Sequence, residues 1–168
     1  CVNFGMFLCG RGDIELGYRF GRVAIDLWER HPDKKSETVL RDMWGAWLQH
    51  WREGYPACKN SLLAAMHAGL DTGQYSWAFY SAKNCITNSL LRGLPLADLL
   101  AEAQSYQPIC KLDEANSITW TVGAVGQIAH QLSAPTAHPA KLKGAWIDID
   151  EVIEKARRMG NVLSVSSA

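Results

Sequence analysis

Between Ser36 and Trp51 the residues Val39, Leu40, Met43, Trp44, Trp47, Leu48 and Trp51 recur at steps of one, three and four. That spacing lays them on one stripe of an α-helix and would scatter them over both faces of a strand. Similar runs at about Ile14 to His31, Ala57 to Thr72, Tyr75 to Arg92, Leu96 to Cys110 and Ala115 to Leu132 predict six helices in all. The breaks at His31-Pro32, Gly54-Tyr55-Pro56, Gly73, Gly93-Leu94-Pro95 and Pro135 end one helix and open the next. No alternating apolar pattern or Asn-Gly turn competes over a useful length, so the expected fold class is all-α.

Helices joined this briefly must stack as antiparallel pairs, and two segments repeat. Gly12 is followed by Gly17, Gly21 and Ala24, and Gly73 by Ala78, Ala82 and Cys85, at the same offsets of 5, 9 and 12. A glycine lets the chain reverse between helices, and small side chains one turn apart let a neighbouring helix come close. This is the small-residue ladder of a tetratricopeptide helix pair. The two ladders lie 61 residues apart (73 minus 12), which is not a multiple of the usual repeat of about 34. A degenerate tetratricopeptide-like solenoid is therefore expected over residues 1–134, with a connecting loop over 135–150. Over 151–168 a further helix begins, near Val152 to Met159, and the end frays.

A 168-residue chain with 48% hydrophobic residues can bury a core. Seventeen Lys and Arg balance seventeen Asp and Glu, so no summed positive field draws in phosphate backbones or anionic lipid, and nucleic acid is not an expected partner. The longest apolar stretch, Ser61 to Leu70, is interrupted by His67 and falls short of the roughly 20 residues that span a bilayer, so no membrane is expected either. Cys1, Cys9, Cys58, Cys85 and Cys110 are odd in number and form no CxxC pair, which fits reduced structural thiols in a cytoplasmic chain. Because the first residue is Cys1 with no leader before it, the chain is expected to be a fragment of a longer protein.

In order along the chain, Gly17-Tyr18-Arg19-Phe20-Gly21 leading to Ala24 and Leu27, Trp51-Arg52, Ala68-Gly69-Leu70-Asp71-Thr72-Gly73, the aromatic stretch Tyr75 to Tyr80, Gly93-Leu94-Pro95-Leu96, and finally Pro139, Leu142, Gly144 and Asp150-Glu151 form one pattern. The pattern resembles the tetratricopeptide-like helical region of large multidomain signalling proteins. In those proteins a kinase-like domain and an AAA-type ATPase precede the region, and GAF and histidine-kinase modules often follow. Gln74 stands where that family usually has an aspartate. The resemblance implies a non-catalytic scaffold that couples ATPase or kinase-like domains to output domains, with proteins or peptides, chiefly neighbouring domains, as partners and no cofactor.

Several motifs invite sharper chemistry. Asp71-Thr72-Gly73 spells the aspartic-protease triplet but ends a helical run where catalysis needs a strand-rich setting. Arg11-Gly12-Asp13 spells an adhesion tripeptide, yet Gly12 already serves the ladder. Gly10-x-Gly12 lacks a third glycine, and no phosphate-cradling loop occurs. The segment Ile128 to Pro135 resembles a histidine-kinase phosphoacceptor box with His130 as nucleophile, which is the alternative function. Against it, Gln131 replaces the acidic base and Pro139 interrupts the second helix of such a hairpin. His31, His50, His67 and His138 share no ligand spacing, so no metal site is expected.

Two further groups of residues have a structural and a functional reading each. Trp44, Trp47 and Trp51 are expected to pack between helices, with a partner-binding surface at Trp47 and Trp51 as the alternative. Tyr80, Asn84 and Asn88, spaced by four, line one helical face whose amides suit a peptide backbone, the alternative being a solvated or helix-bridging face. The acidic run Asp148, Asp150, Glu151 lacks the layout of a calcium loop and suits a helix N-terminus.

Overall fold

A computed structural model gives the chain's structure and describes residues 1–113, 117–134 and 141–160. Among these the elements are α-helices: α1 (Val2–Gly10), α2 (Ile14–Arg30), α3 (Lys34–Met43), α4 (Tyr55–Asp71), α5 (Tyr75–Leu91), α6 (Leu96–Cys110), α7 (Ser117–Ser133) and α8 (Ile149–Arg158). A π turn (Trp44–Leu48) and a 3-10 turn (Gln49–Trp51) follow α3 directly. Among the described residues the fold is all-α, with one isolated bridge between Lys143 and Asp148. It divides into two compact units, Cys1–Cys85 and Ile86–Ala168.

In the first unit, α1 and α2 pack together across the turn at Gly12, whose φ of 91° suits a residue without Cβ. Asp13 caps α2 by accepting from the Leu16 amide at 3.2 Å. The inner face of α2 carries Gly17, Gly21, Ala24 and Ile25, all buried. A Cβ at Gly21 would lie 2.6 Å from Trp44 Cζ3 and 2.7 Å from Leu48 Cδ1, so the small residue is what admits the tryptophan. Ile25, Trp44 and Leu48 form the core there, with Val2, Met6, Cys9, Tyr18 and Leu40 against it.

The second ladder behaves alike. Gly73 turns the chain at φ 74°, and Ala78, Ala82 and Cys85 are buried to within 1%. A Cβ at Gly69 of α4 would meet the Ala78 Cβ of α5 at 3.1 Å. Gln74 Nε2 donates to the Lys35 carbonyl at 3.1 Å and to Thr72 Oγ1 at 3.0 Å.

In the second unit Leu99, Ala103 and Tyr106 of α6, Val122, Val125 and Ala129 of α7, and Ala156 of α8 are buried. Ser89 and Tyr106 both donate to the Glu102 carboxylate, at 2.8 and 3.0 Å. The segment from Leu142 to Ile149 closes on itself through Gly144 N to Ile147 O and Ile149 N to Leu142 O. Asp148 then caps α8 through the Asp150 amide, and its carboxylate pairs with Lys143.

Two expectations need correction. Helix α1 precedes the first run that the spacing marks, because it is apolar nearly all round and shows no period against a polar face. The Ser36–Trp51 helix is not continuous: α3 ends at Met43 and the next turn widens, with the Gln49 amide bonding to the Trp44 carbonyl five residues back. The wider turn moves Trp47 off the buried stripe, so Trp47 and Trp51 are 53% and 47% exposed where packing between helices was expected. The expected helix start at Ala115, the break at Pro135, Pro139, His138 and the frayed end over 161–168 lie outside the described residues.

Candidate functional site

The π turn creates the most distinctive surface of the first unit. Its inner side is fixed by Trp44 and Leu48, 2% and 0% exposed. Gly45 faces α4 so closely that a Cβ would lie 3.1 Å from the Cys58 carbonyl oxygen and from Leu62 Cγ. Its outer side presents Trp47, then His50 and Trp51, whose rings are tilted with centroids 4.8 Å apart. Partial loss of solvation beside these neighbours lowers the His50 pKa. The segment is anchored again by Glu53, which accepts from the Tyr18 hydroxyl at 2.8 Å and from Gln49 Nε2 at 2.9 Å. Arg52 pairs with Glu15 of α2. Rigidly mounted, half-exposed indoles of this kind supply contact area with little conformational entropy to lose.

The polar stripe on α5 is in part helix-bridging. Tyr80 is 39% exposed and leans on Trp77, ring centroids 5.5 Å apart. Asn84 is engaged: its Nδ2 donates to Asp42 Oδ1 at 3.2 Å, and Ser81 Oγ donates to the same oxygen at 2.9 Å. Asn88 is partly buried and belongs to the second unit. Asp42 itself, on α3, is 2% exposed. Burial raises its pKa, while the Ser81 and Asn84 hydrogen bonds and the Lys83 charge pull the other way. Sequence reading missed Asp42 because its partners come from 39 and 42 residues further on.

No family model, curated protein or solved structure matches this chain.

The other motifs resolve locally. Asp71-Thr72-Gly73 closes α4, with the Thr72 hydroxyl bonded back to the Ala68 carbonyl at 2.7 Å. Arg11-Gly12-Asp13 is the α1–α2 turn and cap. His130 is exposed on the last turn of α7, and the amide of Gln131 beside it donates to the Lys141 carbonyl. His31, His50, His67 and His130 lie in separate places, and among the described residues no three His, Cys, Asp or Glu side chains converge as metal ligands. No described helix is long and apolar enough to cross a membrane.

The second unit holds a cavity of about 310 Å³ between α6, α7 and the Trp146 loop, lined by Cys110, Lys111, Thr119, Trp120, Val122 and Trp146 among others. That volume is at the small end for a ligand pocket. Trp146 reaches it by packing on Gly126, while its amide donates to Gln127 Oε1 at 3.2 Å. Burial pushes the Cys110 thiol up to about 11, which makes it a poor nucleophile near neutral pH. No local sequence signal marks this cavity, because its walls come from three elements.

Proposed function

We propose that the chain is a non-catalytic, tetratricopeptide-like scaffold that binds protein or peptide partners and couples an ATPase or kinase-like domain to output domains of a multidomain signalling protein. The observation that carries the interaction role is the pairing of Trp47 and Trp51, half exposed, with Trp44 and Leu48, fully packed on the same turn. The two matching ladders, Gly17-Gly21-Ala24 and Ala78-Ala82-Cys85, all buried beside neighbouring helices, support the repeat-like character. The multidomain signalling context rests on the order of motifs in the sequence.

Partners meet the Trp47–Trp51 surface, with the exposed Tyr80 as a further aromatic contact. The phosphoacceptor alternative has the exposure of His130 in its favour and lacks an acidic neighbour to act as base.

A photo-crosslinking amino acid placed at position 47 in the native host tests the interaction role. Specific adducts at 47, absent when the same group sits at the exposed Asn60 on α4, are expected. Equal labelling at both positions overturns it, and phosphate transfer to His130 from ATP and a catalytic domain, lost in His130→Ala, would favour the alternative.

A further inference from the structure

The α1–α2 hairpin buries one side of α2 and leaves a second apolar side uncovered. Leu16, Val23 and Leu27 are 37%, 48% and 47% exposed, and Phe20 sits among them, partly buried. From α1, Phe4 and Phe7 are 48% and 55% exposed; Phe4 stands edge-on to Phe20 with centroids 4.9 Å apart and stacks beside Phe7. Leu16 to Leu27 covers about 16 Å of helix at 1.5 Å per residue. Contiguous exposed apolar faces of this kind mark interaction surfaces.

The stripe's spacing, four, three and four, reads the same from either end. Two copies of α2 laid antiparallel about a two-fold axis passing between Gly21 and Arg22 therefore set Leu16 beside Leu27 of the other copy and Phe20 beside its Val23. The charges agree with that register. Arg19 and Asp26 lie seven residues apart and thus on one flank of the stripe. In the antiparallel pair, Arg19 of one copy comes within about 3 Å, along the axis, of the level of Asp26 in the other. Arg19 makes no ion pair among the described residues, and Asp26 is held half-exposed by Arg22 at 3.0 Å, leaving its second oxygen for another cation. A flank bearing both signs matches a copy of itself better than a membrane surface of one sign.

We infer that this face is a two-fold self-association surface, through which two copies of the chain pair by antiparallel packing of α2. The proposal is separate from the Trp47 surface and stands or falls independently of it.

Sedimentation velocity of the full chain across a concentration series tests it. A reversible monomer–dimer equilibrium is expected. Val23→Glu and Leu27→Glu should weaken it at least about tenfold, while leaving circular dichroism and melting unchanged because both side chains are exposed. Arg19→Asp and Asp26→Arg should each weaken the dimer, and an equimolar mixture of the two should restore it as a heterodimer, since both cross-pairs are then of opposite sign. This mixture touches no apolar contact, so it still decides the matter if a glutamate variant fails to fold. A chain that stays monomeric at its highest soluble concentration, a dimer indifferent to the glutamates, or a mixture no better than its parts overturns the inference. A wild-type monomer that co-sediments with phosphatidylserine vesicles assigns the face to lipid instead.

Discussion

Trp44 and Trp47 stand one helical step apart, yet Trp44 lies against Gly21 with 2% of its surface exposed and Trp47 faces outward with 53% exposed. Both belong to the π turn between Met43 and Gln49, whose wider pitch sends them to opposite sides. Trp44→Ala should accordingly cost about 3–5 kcal/mol of stability, and Trp47→Ala less than about 1 kcal/mol. Denaturant melts of the two variants check this; equal midpoint shifts would mean that Trp47 belongs to the core after all.

The two ladders are expected to tolerate no added bulk. Ala78 is fully buried against Gly69, so Ala78→Leu should destabilise by about 1–3 kcal/mol. His130→Ala, on an exposed last turn, should change the melting midpoint by less than about 1 kcal/mol equivalent. An Ala78→Leu variant with an unshifted midpoint would show that α4 and α5 do not pack as described.

Much of the helical punctuation was readable in advance, since Gly73 and Gly93 each end a periodic run and each adopts a positive φ. The limits of α2 and α6 fall within a residue of where the spacing put them, Ile14–Arg30 and Leu96–Cys110. What the spacing missed is non-local. The π turn sits where α4 crowds Gly45, the Asp42 cluster draws on α5, and the Cys110 cavity needs α6, α7 and a loop at once. None of these partners is near in sequence, so no window over Ser36 to Trp51 could anticipate that Trp47 would leave the stripe.

Asp42 should give stability a distinctive pH dependence. Its pKa is raised above the ordinary 3.8, chiefly by burial. Between 3.8 and the folded value, the folded chain holds a proton that the unfolded chain has released. The cost of burying the charge is thus present at neutral pH, and stability rises as pH falls through that interval, levelling below 3.8. Asp42→Asn keeps an acceptor for Ser81 and should melt no lower than wild type at pH 7, with the acid-side gain reduced. Thermal melts from pH 4 to 7 read this directly; an unchanged pH slope in the variant would mean that Asp42 is not its source.

Thiol chemistry should separate the cysteines. Cys110, raised to about 11 within the cavity wall, is expected to react with iodoacetamide at pH 8 far more slowly than the exposed Cys1. Mass-spectrometric time courses of labelling check the order, and comparable rates would show that the Cys110 thiol meets bulk solvent.

Gln127 ties α7 to the loop before α8, accepting from the Trp146 amide and donating to the Lys143 carbonyl at 3.4 Å. Its amide fills the space that a Cβ at Gly144 would need, since that atom would lie 2.6 Å from Nε2 and 2.7 Å from Oε1. The two positions are thereby bound together over evolutionary change. A lineage cannot acquire a side chain at 144 while glutamine occupies 127 in this pose, and losing the glutamine leaves the Trp146 amide without its acceptor. Substitutions at 127 and 144 should consequently arrive as a pair, and a sequence that changes one of them alone should carry a rebuilt Lys143–Trp146 loop.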